Sequence, residues 1–214
     1  MSAAVNPATA DVVGVLLAGG LARRMGGGDK CMRKLGGRPL LDRLIDLARP
    51  QVGTLILNAN GDGARFASYG LDVVPDVIDG YAGPLAGVLT GLEWAAENVP
   101  TAEWVASFAT DAPFLPTDMV ERLMAAVAGR GADMACAASG GRAHPVFGLW
   151  PVSIRAELRR AMIDDDMRKI DKWTSGFDLV EVEFATEDGR DPFFNVNRPE
   201  NLEEAEGFLN AAGA

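Results

Sequence analysis

The chain has 214 residues, 48% apolar and 23% charged, which fits one folded domain with a substantial core and argues against a disordered chain. Its formal charge of −10 argues against a nucleic-acid backbone or an anionic membrane as general partner, so a phosphate-rich ligand must meet locally placed positive charge. Two distant cysteines, Cys31 and Cys136, and the single His144 suit neither a disulfide framework nor a zinc site and predict a reducing, cytoplasmic setting.

Residues 1–10 are small and polar, with no signal-like pattern, and read as a loose tail before one domain over 11–214. No run approaches the roughly 20 apolar residues that a membrane helix needs. Val12–Leu17 is a short apolar, β-branched run ending at glycines, the pattern of a strand buried on both faces. From Pro39 to Arg49 the residues Leu40, Leu41, Leu44, Ile45 and Ala48 recur at helical spacing, with Pro39 suited to the first turn. Thr54–Leu57 and Leu71–Val74 read as strands and Leu85–Glu97 as a helix. Trp104–Ala109 is the next strand, then a loop through Asp111 and Pro113, then a helix from Asp118, whose carboxylate has capping-box spacing to Glu121.

Asp133–Ala138 and Val146–Trp150 are further strands, and Ser153–Met162 and Arg168–Ser175 further helices. The run Asp164–Asp166 reads as a helix start rather than a metal site. Leu179–Phe184 alternates as a strand, and Pro199–Leu209 closes the chain as a helix. Alternating elements of this length predict an α/β, Rossmann-like fold with a mostly parallel twisted sheet covered by helices on both faces. Such folds bind ligands at the carboxyl ends of the strands. The segments 18–30, 58–63 and 110–113 all follow strands and should meet in one cleft.

The segment LAGGLARRMGGGDK, Leu17–Lys30, holds five glycines, two arginines and a lysine. Glycines present backbone N–H groups to anionic oxygens, and Arg23, Arg24 and Lys30 add positive charge, so the segment suits a triphosphate. It matches neither the P-loop nor the dinucleotide spacing. Asp111, just past a strand, is placed for a cation bridging phosphate oxygens. Asn58 and Asn60 offer amides that match a nucleobase edge, Asp76 an acceptor for a ribose hydroxyl or base N–H, and Gly83 opens a helix whose N-terminus faces a ligand. Asn195 and Asn197 stand on one side of an extended segment before the last helix. Arg142, His144, Arg168, Lys169 and Lys172 are a scattered basic group for a second phosphorylated substrate, and His144 by itself reads as structural.

Taken together and in this order, LAGG…RRMGG.DK, NAN, GPLAG, TDAP and NVN resemble the molybdenum cofactor guanylyltransferases, over Val12 to Leu209. The resemblance implies a nucleotide-diphospho-sugar-transferase-like fold that binds GTP and Mg²⁺ and transfers GMP to the terminal phosphate of molybdenum-molybdopterin, releasing pyrophosphate. It implies nucleotide binding by Leu17, Ala18, Gly19, Gly20, Lys30, Asn58, Asp76, Gly83 and Asp111, with Mg²⁺ on Asp111. It assigns catalysis to Arg24, Lys30 and Asp111 and the pterin substrate to Arg168, Asn195 and Asn197. A nucleotide-binding half at 11–115 and a pterin-binding half at 116–214 follow, as does transient contact with molybdoenzymes or their chaperones.

The chemistry needs no general base, because a phosphate monoester with a second pKa of about 6 is already largely ionised at neutral pH. Three rivals share parts of this reading. A cytidylyltransferase using CTP would keep the scaffold, although the cytidylyl family tends to LAAG where Gly19 and Gly20 stand here. A non-catalytic carrier would not need both Lys30 and Asp111. A sugar-phosphate nucleotidyltransferase is conceivable on fold alone.

Overall fold

The computed structural model describes residues 7–19, 28–80, 83–187 and 189–212. The first strand, β1 (Val12–Leu17), sends Val12 and Leu16 into one apolar cluster and Val13 and Val15 into another. That is the period-two alternation of a strand covered on both faces. A two-stranded hairpin follows, β2 (Lys34–Leu35) and β3 (Arg38–Pro39), turning through Gly36 and Gly37 at φ 56° and 80°. Pro39 pairs with Lys34 in this hairpin instead of opening the helix, and α1 spans Leu40–Ala48. The chain continues with β4 (Thr54–Asn58), β5 (Asp72–Val74), α2 (Pro84–Asn98) and β6 (Trp104–Ala109), close to the expected bounds.

The helix α3 (Met119–Arg130) begins at Asp118 without the expected capping box. The physical reason is a competitor from another element: the buried Gln51 side chain accepts from Val120 N at 3.0 Å and donates to Pro116 O at 2.8 Å. One orphan amide of the first turn is thereby satisfied, while the Asp118 carboxylate faces Arg122 at 4.0 Å. Beyond it lie β7 (Met134–Ser139), β8 (Arg142–Pro151), α4 (Arg155–Asp164), α5 (Ile170–Thr174), β9 (Leu179–Glu183) and α6 (Pro199–Ala212). The aspartate run ends α4 rather than starting a helix, and Asp166 turns the chain with φ 51°.

Among the described residues the main sheet has the order β5-β4-β1-β6-β8-β7-β9. The pairings β5·β4, β4·β1, β1·β6 and β7·β9 are parallel, and only β8 runs against its neighbours β6 and β7. The reversal follows from the two-residue Gly140-Gly141 turn, with both φ values positive at 56° and 75°, the geometry of a tight hairpin. Helices α1 and α3 cover one face, and α2, α4 and α5 the other. Helix α6 packs through Ala205 on Leu35, Leu40 and Val196, which pins the C-terminal segment over the β2-β3 hairpin. Both cysteines are free and buried, and burial pushes each thiol up to about 12. No helix among the described residues is long and apolar enough to cross a membrane.

Candidate active site

The central strand β1 lies between β4 and β6, where the chain order diverges to either side, so the carboxyl ends of these three strands open a crevice. The loops leaving them are tied together. Ala18 N donates to Asn58 O at 2.9 Å, and Thr110 Oγ1 donates to Leu17 O at 2.9 Å. Leu17, Ala18, Asn58 and Asp111 therefore reach one rim of the sheet, as the placement of their segments predicts. Gly19 is exposed there, while Gly20, Arg23 and Arg24 lie outside the described residues.

Two groups of side chains stand on this rim. In the first, Asp76 accepts from Asn58 Nδ2 at 2.9 Å and from Asn60 Nδ2 at 2.7 Å, and its backbone N–H donates to Asn60 Oδ1 at 2.8 Å. Asn58 is only 3% exposed and also donates to Val74 O at 3.2 Å. The Asn58 amide nitrogen is thus engaged within the protein, and the two asparagines orient the half-buried Asp76. Helix α2 closes the back of this group, and Gly83 stands at its N-terminus with φ 82°.

Close approach of α2 requires a glycine at residue 87, because a Cβ there would sit 2.4 Å from Asn58 Oδ1 and 2.5 Å from Leu17 Cδ2. The Asn58 side chain is held by two hydrogen bonds, to Val74 O and Asp76 Oδ1, and cannot swing aside freely. Gly87→Ala should therefore lower stability by about 1–3 kcal/mol, the usual range for overpacking. A urea unfolding curve reads this directly, and an unshifted midpoint would show that the helix can move away.

In the second group, the Lys30 ammonium donates to both Asp111 Oδ2 and Asn197 Oδ1. The three residues come from the glycine loop, the loop after β6 and the segment before α6, separated in sequence by 81 and 167 positions. Val196 N donates to Asp111 O at 2.8 Å and clips the C-terminal segment to the strand end. Asp111 Oδ1 and Asn195 Oδ1 are buried and find no hydrogen-bond donor among the described residues. A buried acceptor without a partner is costly, and a carboxylate oxygen left open in a polar crevice fits a divalent cation. No group of three or more His, Cys, Asp or Glu among the described residues could hold a metal alone. A cation at Asp111 would need substrate phosphate oxygens and water to complete its shell.

The glycine loop is also anchored by a pair that sequence reasoning missed. Asp29, next to Lys30, accepts from Arg65 Nε at 2.7 Å, and Arg65 Nη2 donates to Asn60 O at 2.8 Å. One guanidinium thus joins the Lys30 side of the crevice to the Asp76 side, and no motif spacing marks Arg65 in advance.

Arg168 has partners other than Lys30 and Asp111. Its guanidinium donates to Met162 O at 2.6 Å and pairs with Asp166 at 2.6 Å, and its carbonyl lies 3.8 Å from where a Cβ on Gly83 would be. The five scattered basic residues do not form one patch. His144 stacks on Phe193 at 5.0 Å in the cluster shared with α1 and α3, whereas Ile170 and Trp173, beside Lys169 and Lys172, belong to the opposite face. Burial lowers the His144 pKa, which holds the imidazole neutral and agrees with a structural reading.

Against known families, residues 14–178 match the model of the MobA-like NTP transferase domain. The chain belongs to the MobA-like NTP transferase family. This MobA-like chain is 54% identical over 198 residues to the molybdenum cofactor guanylyltransferase of Bradyrhizobium sp. (strain ORS 278), covering 92% of this chain and 93% of the relative. It is 40% identical over 199 residues to that of Rhizobium meliloti (strain 1021), covering 91% and 90%. Among solved structures, the molybdopterin-guanine dinucleotide biosynthesis protein A from Archaeoglobus fulgidus superposes with a TM-score of 0.73 at 22% identity, covering 93% of this chain and 99% of that one. The manganese complex of Rv0371C from Mycobacterium tuberculosis superposes at 0.65 and 18%, covering 92% and 98%, a likeness of fold. The protein is an enzyme, a nucleotidyltransferase of the α/β class.

Proposed function

We propose that this enzyme transfers GMP from GTP to the terminal phosphate of molybdenum-molybdopterin, in the cytoplasm and with Mg²⁺ as cofactor. The supporting observation is the convergence of Lys30, Asp111 and Asn197 at the strand ends, beside a separate acceptor group built on Asp76. A nucleotide laid across the rim would place its base and ribose toward Asp76 and its phosphates toward Lys30. In the reaction a terminal phosphate oxygen of the pterin attacks the α-phosphorus, the bond to the bridging oxygen breaks, and pyrophosphate leaves.

The attacking oxygen carries its charge already, so the residues need only hold two anions in line and offset charge on the leaving group. Lys30 supplies a positive charge to the phosphates. Arg24 would add a second, on the residue assignment that the family resemblance carries. Asp111 would hold the cation through its open Oδ1, and bound Mg²⁺ would neutralise phosphate oxygens. Asn195 and Asn197, on the segment clipped to Asp111 by Val196, would meet the second substrate, on the residue assignment that the family resemblance carries. Arg168, whose backbone lies near Gly83, is assigned to the same substrate by the family resemblance. Names of relatives support GTP and molybdopterin as substrates, and Gly19-Gly20 supports the guanine base over cytosine.

The test is pyrophosphate release by purified protein given Mg²⁺, molybdenum-loaded molybdopterin and either GTP or CTP. Release with GTP alone is expected. Release with CTP alone would transfer the proposal to the cytidylyl reaction, and release with neither would point to another acceptor or to a carrier role.

A further inference from the structure

Asn197 reaches Lys30 from a segment that has no secondary structure of its own between Asp191 and Arg198. An irregular segment can hold a side chain to fractions of an ångström only if it is pinned from outside. One end is pinned near the site, where Val196 N donates to Asp111 O at 2.8 Å. The other end is pinned away from the crevice. Asp191 Oδ1 accepts from Ser139 Oγ at 2.7 Å and from Phe193 N at 2.8 Å. Ser139 is the last residue of β7 and is 4% exposed.

The third member is His144 on β8, whose Nε2 lies 2.7 Å from Ser139 Oγ. Because the one hydroxyl proton of Ser139 goes to Asp191, the imidazole must be the donor to Ser139, which puts a proton on Nε2. Its ring and that of Phe147 pack against Phe193, at 5.0 and 4.9 Å between centroids. The β7-β8 hairpin therefore holds both the carboxylate that begins the segment and the aromatic ring two residues later.

We infer that Asp191, through Ser139, is a positioning residue that sets the reach of the Asp191–Asn197 segment and so places Asn197 against Lys30 in the reacting site. Asp191 touches no substrate; it acts through the segment. The expected effect on turnover rests on the proposed guanylyl transfer, while the hold of Asp191 on the segment does not.

Three variants and two readouts test it: amide hydrogen exchange over residues 193–197 in the free protein, and kcat and KM for GTP with molybdenum-loaded molybdopterin. Asp191→Ala removes the shared acceptor and should raise exchange at Phe193 and Val196. It should lower kcat by roughly 10²-fold, the size expected from a displaced positioning group, with the GTP KM little changed. Asp191→Asn keeps an Oδ1 that can accept both hydrogen bonds and should restore both readouts toward wild type, which a role for the negative charge alone would not allow. Ser139→Ala, the milder change, should loosen the same amides and covers the case in which Asp191→Ala does not fold. Unchanged exchange or unchanged kcat in folded Asp191→Ala would overturn the inference, as would Asp191→Asn being as damaging as Asp191→Ala. If the wild type shows no transfer with GTP, the functional reading fails, and the exchange comparison alone then decides whether Asp191 sets the segment.

Discussion

Asp111→Asn should reduce GMP transfer by about 10³-fold or more at saturating GTP, the upper range for loss of one electrostatic element of a reacting site. The carboxylate has two oxygens in different situations: Oδ2 receives the Lys30 ammonium, and Oδ1 is buried without a donor. An amide keeps an oxygen for Lys30 and the same shape, so the loops around it should stay in place. What disappears is the negative charge that a cation on the open oxygen requires. Circular dichroism and a urea midpoint close to wild type, combined with lost turnover, would place the defect in the chemistry. Full activity in folded Asp111→Asn would remove the residue from the mechanism and with it the proposed cation position.

The second large effect is expected at Lys30. Its ammonium bridges Asp111 and Asn197 in the free enzyme, with the lysine side chain 13% exposed and that of Asp111 20% exposed. Lys30→Ala should lower kcat by roughly 10²- to 10³-fold at saturating GTP, because positive charge at the leaving phosphates acts mainly as charge develops there. Stability should fall as well, by about 1–3 kcal/mol, since two acceptors lose their donor in a partly buried site. A raised KM with unchanged kcat would reassign Lys30 to uniform binding of the triphosphate. Measuring both constants therefore separates the two roles.

Much of the fold was legible in advance because local pattern and tertiary burial agree along the first two-thirds of the chain. Val12–Leu17 and Trp104–Ala109 are each covered on both faces and are almost wholly apolar, with Ser107 as the buried polar exception in the second, and their bounds match the structure. Helix α1 showed its buried face through Leu40, Leu41, Leu44, Ile45 and Ala48, all of which are buried. Misreadings arose where a partner from elsewhere competed with the local signal. Pro39 has the right residue type for a helix start, yet the Gly36-Gly37 turn folds it back onto Lys34. Asp118 has capping spacing, yet Gln51, distant in sequence, reaches the same helix end first.

The kinds of group at the strand ends, and the strands they follow, are set locally, because glycine-rich and polar segments after apolar runs are features read from spacing. Which of those groups meet depends on how the chain folds back on itself. Lys30, Asp111 and Asn197 converge because parallel strands bring their carboxyl ends to one edge and α6 folds the C-terminus back across it. Arg168 is drawn instead to the Met162 carbonyl of α4 and to Asp166, and Asn58 turns inward to hold Asp76. The anchoring roles of Arg65 and Asp191 depend on contacts between segments far apart in the chain, and such contacts leave no periodicity or spacing in the sequence for a local reading to find.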